Sequence, residues 1–275
     1  MSKTDLAKVP VFILAGGLGT RLSEETTLKP KPMVEIGDVP ILVHLMRWYY
    51  SFGFNDFVIC AGYKSWEVKS FFLNYEFRVN HVAIDHRTAA HEPAFAHGRN
   101  VAQEKWRVRV IDTGNDTMTG GRVARALDEV CEQDQFENFA LTYGDGLSDV
   151  DLAKQFDFHQ SHDQIGTVLG VRPTARWGEF DIVDDHRVTA FVEKPESRQP
   201  WVNGGFFFMK RKFRDYLKTD PSCVLEKSPV ADLASDGQLH VYKHTGFWHP
   251  MDTLRDKMYL QELWEKGKAP WRAKA

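Results

Sequence analysis

A doubly wound α/β fold, with a mostly parallel mixed sheet and a small antiparallel element, is what the sequence predicts. Three observations carry this expectation. Short apolar runs at Val11–Ala15, Phe57–Ala61 and Phe139–Tyr143 alternate with stretches at helical spacing, the pattern of βαβ units. Apart from Thr142 these runs are apolar, as in strands covered on both faces. After Gly166–Val171 the pattern changes: Phe180–Val183 and Thr189–Glu193 flank the polar Asp184-Asp185-His186-Arg187, which reads as a hairpin joining the sheet.

The chain reads in order as strand Val11–Ala15, a glycine turn, a polar loop through Pro32, and a helix from near Pro40 to Gly53. Strand Phe57–Ala61 and a helix from Ser65 to about Tyr75 follow. Phe77–Lys105 is rich in His and Ala without periodicity, and Val108–Asp112 is again a strand. Phe139–Tyr143 ends in Gly144-Asp145-Gly146, and Val150–His162 reads as a helix. Gly205–Met209 and Leu239–Tyr242 are further strands, and a terminal helix, Leu254–Trp264, is closed by Gly267 and Pro270. There is no repeat, low-complexity tract or linker, so residues 9–270 are expected to form a single domain. Residues 1–8 have no apolar h-region and are expected to be a disordered, cytoplasmic lead-in.

Composition excludes several function classes. The chain has 275 residues, 43% hydrophobic and 27% charged, with no apolar run near the ~18 residues of a membrane span. Lys and Arg number 35 against 38 Asp and Glu, a net charge of -3, so no overall basic field draws nucleic acid or an anionic membrane. Any phosphate binding must be local. Cys60, Cys131 and Cys223 are far apart and lack zinc-ligand spacing, which favours a reducing compartment. His81, His86, His91 and His97 crowd one segment but match no metal template, so a solvated loop is expected.

The chemistry concentrates just after the first strand. Gly16-Gly17-Leu18-Gly19-Thr20-Arg21-Leu22 lets backbone N–H groups approach a phosphate. The match to a dinucleotide fingerprint fails at the third glycine and Walker A fails too, so the turn alone is equally consistent with a tight connection. Lys29-Pro30-Lys31-Pro32-Met33 then presents two cations from a stretch that the prolines are expected to keep extended rather than helical. Turn and cations together indicate a polyanion site.

Leu14–Leu22 followed by Lys29–Met33 resembles the sugar-1-phosphate nucleotidyltransferases. Asp112-Thr-Gly114, Thr117–Arg122, Thr142–Gly146, Val202–Phe207 and Gly246–Lys257 are similar to the glucose-1-phosphate cytidylyltransferase branch, over essentially the whole chain from Val9. The resemblance implies a Rossmann-like fold and transfer of a cytidylyl group from CTP to α-D-glucose 1-phosphate, with Mg2+ as cofactor and a homo-oligomer as the assembly. Another base, another sugar phosphate, or a nucleotide-sugar sensor without turnover are the alternatives.

The resemblance also implies roles. Asp145 and Asp252 would hold the metal; Arg21, Lys31 and Asp145 would be catalytic. Leu14, Gly16, Gly17, Gly19, Thr20, Thr117 and Arg122 would bind the nucleotide, and Glu193, Lys194, Asn203 and Gly204 the sugar phosphate. Each has a plainer reading: Asp145 as a turn residue, Asp252 as the N-cap of the terminal helix, Glu193 and Lys194 as a surface ion pair. Trp248 and His249 beside Asp252 read either as pocket walls or as core. Two stretches depart from the family. Phe77–Trp106 is longer and, with Trp48–Phe52, would supply oligomer contacts; Leu225-Glu-Lys-Ser-Pro229 replaces Trp-Glu-x-Glu-Pro, which is expected to relax or redirect the preference for glucose.

Overall fold

Seven strands form the central sheet of the computed structural model, which describes residues 6–17, 19, 22–27, 29–80, 82–83, 94–95, 104–173, 179–183, 187–192 and 200–272. They are β1 (Val11–Ala15), β2 (Asp56–Ala61), β3 (Arg107–Asp112), β4 (Asn138–Tyr143), β5 (Gly166–Val171), β6 (Val202–Lys210) and β7 (Leu239–His244). Their spatial order is β7-β5-β6-β4-β1-β2-β3. Only β6, between β4 and β5, runs antiparallel to its neighbours.

Alternation along the strands divides the core in two. Val11 and Ile13, with Phe57, Ile59, Phe206 and Phe208, belong to one apolar cluster; Phe12 and Leu14, with Val58, Cys60, Phe207 and Met209, belong to the other. The first is covered by α1 (Ile41–Phe52), α4 (Leu152–Gln160) and α6 (Leu254–Glu265), the second by α3 (Thr119–Gln133) and α5 (Ser228–Ser235), while α2 (Ser65–Leu73) lies against β3. Strands buried on both faces need no polar alternation, which is why they read as continuous apolar runs. Each fully buried Phe or Leu contributes about 1.5–3 kcal/mol of transfer free energy.

Several expectations need correction. The Glu179–Val183 and Arg187–Val192 hairpin forms its own two-stranded sheet, and the antiparallel member of the central sheet is β6. Lys31–Met33 is a turn of 3-10 helix, with Met33 N–H donating to Pro30 O at 2.8 Å. Pro32 is tolerated there because the first turn of a helix leaves its N–H positions without internal acceptors. Helix α3 was not foreseen; Gly120 and Gly121 sit in its first turn, and both admit close approach of the chain at Asp220 and Cys223. Of the described residues of the lead-in, Leu6 is buried at 3% exposed, Ala7 is half-buried and Lys8 is exposed. Trp48 and Tyr49 are buried in the core, with the Trp48 indole donating to Val150 O at 3.1 Å, so they offer no contact surface. Residues 1–5 and the four histidines from His81 to His97 lie outside the described residues. No helix among the described residues is long and apolar enough to cross a membrane.

Two buried histidines make stability pH-dependent. His44 Nε2 lies 2.8 Å from Ile36 O, and burial pulls its pKa down to about 4. His159, held between Thr167 Oγ1 and Asn138 Oδ1, is lowered to about 3 by burial and then by His162 and Lys210. In the unfolded chain both titrate near ~6.5. Their contribution is complete above that pH and is lost as pH falls toward the folded values, at about 1.4 kcal/mol per pH unit for each. Urea midpoints are expected to drop steeply between about pH 6.5 and 5, and His44→Gln and His159→Gln to flatten that dependence. An equally steep profile in the double variant would assign the loss to other groups.

Candidate active site

The carboxyl ends of β1, β2, β3 and β4 share one edge of the sheet, where open α/β sheets place their ligands. β1 runs into Gly16. A Cβ there would come within 2.3 Å of the Arg122 guanidinium, so only glycine allows the turn to lie against that side chain. Gly17 is exposed, and the Gly19 carbonyl accepts from Leu22 N–H at 2.9 Å and Thr26 Oγ1 at 3.1 Å. Leu14 has its side chain in the core, and its carbonyl accepts from Gly144 N–H at 2.9 Å, which brings the turn beside the end of β4.

Lys31 joins the two aspartates. Its ammonium donates to Asp145 Oδ2 and, at 2.7 Å, to Asp252 Oδ1. Burial works against this ammonium, but attraction and hydrogen bonds from Asp145 and Asp252 prevail and hold its pKa above that of free lysine. The 3-10 turn places Lys31 here. The aspartates are brought together by a two-stranded ribbon in which Gly146–Ser148 pairs with Trp248–Pro250: Asp145 directly precedes one strand, and Asp252 follows the other after Met251. Met251 N–H closes the gap, donating to Asp145 O at 2.8 Å. Thr253, not Asp252, caps α6, in a reciprocal capping box with Asp256. The Asp252 carboxylate faces the Lys31 ammonium. His249 faces Asp256 at 3.1 Å.

Two hard carboxylate oxygens that converge on one ammonium lie within reach of one divalent cation. Among the described residues no group of three or more His, Cys, Asp or Glu side chains is placed for a metal. A donor set of two carboxylates suits Mg2+, which takes one or two from protein and completes its shell with water and substrate phosphate.

Thr117 and Arg122, expected at the nucleotide, turn their polar atoms into the protein. Arg122 is 4% exposed, and its two terminal nitrogens donate to Gly16 O (2.9 Å), Ala61 O (3.2 Å), Thr113 Oγ1 (2.8 Å), Gly114 O (2.6 Å) and Asn115 O (3.0 Å). One guanidinium thus ties the turn after β1 to the ends of β2 and β3. Burial lowers its pKa from the usual arginine value. Thr117 Oγ1 accepts from Arg125 at 2.9 Å.

Of the residues expected on the sugar side, Asn203 Oδ1 accepts from Gly205 N–H at 2.8 Å, and Gly204 O accepts from the Trp248 indole at 2.7 Å. Tyr143 donates to Glu226 Oε1, and Thr119 Oγ1 donates to Glu226 Oε2 at 2.9 Å. Burial and then Glu226 push the Tyr143 phenol upward, which keeps it a donor. Leu225 is fully buried in the second cluster, and Ser228 Oγ donates to Asp232 in the exposed first turn of α5. Sequence reasoning missed the Tyr143–Glu226 pair and the Trp248–Gly204 bond, since no spacing rule links residues that far apart. Thr20, Arg21, Glu193 and Lys194 lie outside the described residues.

Over residues 10–253 the chain matches the nucleotidyl transferase family. The chain belongs to that family. This nucleotidyl transferase is 45% identical to the glucose-1-phosphate cytidylyltransferase of Salmonella typhi, over 94% of this chain and 97% of the relative. It is 37% identical to the probable glucose-1-phosphate cytidylyltransferase of Bacillus subtilis, over 94% and 98%. Among solved structures, the inositol-1-phosphate CTP transferase of T. maritima matches the nucleotidyl transferase fold with a TM-score of 0.62 at 15% identity, covering 95% of this chain and 98% of that one.

Proposed function

We propose that the chain transfers a cytidylyl group from CTP to α-D-glucose 1-phosphate, releasing CDP-glucose and pyrophosphate. The observation that carries this reading is the convergence of Asp145, Asp252 and Lys31 beside the glycine turn, in a chain 45% identical to a relative named for that reaction. The nucleophile is a phosphate oxygen of the sugar 1-phosphate, already mostly ionised at neutral pH because its second pKa is about 6. It attacks the α-phosphorus of CTP, and the bond to the β-phosphate oxygen breaks. No general base is needed, so the task of the protein is to align two polyanions and to offset their charge. In this reading the backbone after Gly16 takes the triphosphate, with Lys31 and Arg21 as its cations, and Asn203, Gly204, Glu193 and Lys194 form the sugar-phosphate side. Asp145 and Asp252 would hold Mg2+, which when bound supplies charge neutralisation at the phosphates.

Pyrophosphate release measured over a panel of nucleotides and sugar phosphates tests the assignment. CTP with glucose 1-phosphate is expected to lead; faster turnover with UTP or dTTP at saturating sugar phosphate would overturn the base assignment. The buried Leu225 and the Ser228–Asp232 pair favour a packing role for the departure at 225–229. The sugar therefore stays glucose 1-phosphate, contrary to the expected relaxation. Ser228→Glu should leave discrimination between glucose 1-phosphate and its epimers within about twofold, since the new carboxylate would stand on an exposed helix turn. A large change in discrimination would return this run to the sugar pocket.

A further inference from the structure

Trp248 takes no part in the reaction as derived, yet it joins the two halves of the site. Between paired positions β6 carries more residues than β5: Val168 faces Phe207, and Gly170 already faces Asn203. Pairing of β6 with β4 begins only at Phe206. Gly204 and Gly205 therefore form a bulge directly after Asn203. Gly205 has φ 78°, a left-handed value that suits glycine. Bulges leave residues outside the ladder and re-aim their neighbours. Here the Gly204 carbonyl takes the indole N–H of Trp248 at 2.7 Å.

Trp248 in turn sits in the ribbon that brings the aspartates together. It pairs with Ser148, whose hydroxyl donates to Phe247 O at 2.8 Å, and two residues on Pro250 pairs with Gly146 beside Asp145. The indole is half-buried against the first apolar cluster, so its ring is held by packing while its N–H reaches across to β6.

We infer that Trp248 is a positioning residue for the sugar 1-phosphate: its N–H fixes the Asn203–Gly205 bulge against the ribbon that carries Asp145 and Asp252. It thereby sets the gap between the sugar-phosphate subsite and the metal carboxylates. The inference rests on the proposed placement of the sugar phosphate at Asn203 and Gly204. Displacement of a reactant by about 1 Å is enough to cost of order a hundredfold in rate.

The test replaces Trp248 with benzothienylalanine, which keeps the fused ring and substitutes sulfur for N–H, alongside Trp248→Phe. Kinetics with each substrate varied at saturating partner should show the KM for the sugar 1-phosphate raised about tenfold and the KM for CTP within about twofold. Deuterium uptake at residues 203–206 of the nucleotide-free protein should rise in the isostere, with its melting temperature unchanged. A purely structural indole would lower the melting temperature and leave both KM values alone. An isostere with wild-type KM values and wild-type uptake overturns the inference. Should the wild-type protein turn over no sugar phosphate with CTP, the proposed function falls, while uptake at 203–206 still decides whether the indole holds the bulge.

Discussion

Asp145→Asn and Asp252→Asn are each expected to lower pyrophosphate release at least about a hundredfold at low Mg2+, with the fold intact by melting curve. Each change removes one of two charged donors that converge on the same point, and among the described residues no third acidic, histidine or cysteine side chain stands by to replace it. The readout need not depend on turnover alone. Mn2+ titration followed by magnetic resonance should show weakened binding in both variants, since the site offers hard oxygens to either cation. Near-wild-type turnover at low Mg2+ in one variant would remove that aspartate from the metal site.

The next largest effect is expected at Arg122. Arg122→Met should destabilise the protein by about 3–5 kcal/mol in urea, because it strips a buried charged donor from four carbonyls and one hydroxyl at once. Arg122→Lys should recover little of this, as a point ammonium cannot reproduce a planar fork that reaches the ends of three strands. In any folded fraction the KM for CTP should rise, since the turn at Gly16 would have lost its tether. Wild-type stability in Arg122→Lys would show that charge alone, not the fork, holds the turn.

What was readable in advance follows from the range of the forces involved. β1 and β5 have the predicted bounds, and α1 lies between Pro40 and Gly53 as expected, because local hydrophobic pattern and chain-stopping residues determine them. α3 was overlooked although Val123, Leu127 and Val130 have helical spacing; the two glycines at its start weaken the local helical signal, and they mark the approach of a loop from residues 220–225. The aspartates, the turn and Lys31 were singled out through motif, and the structure brings the carboxylates of Asp145 and Asp252 to the Lys31 ammonium. The inward set of Arg122 was not legible, since the motif that contains it does not reveal whether a guanidinium faces ligand or backbone. The 3-10 turn at Lys31 was masked by prolines that break longer helices but fit a single turn.

The ribbon that joins Asp145 to Asp252 also has a consequence for the life of the chain. Asp145 follows the fourth central strand by two residues, whereas Asp252 comes just before α6, and Lys31 lies between β1 and α1. At translation rates of about 5–20 residues per second, the first aspartate is made several seconds before its partner. A nascent polypeptide can begin to assemble its early parallel strands, but it holds only half of the carboxylate pair until residue 252 has been added. The pair proposed to hold the metal is thus completed some hundred residues after its first member is made.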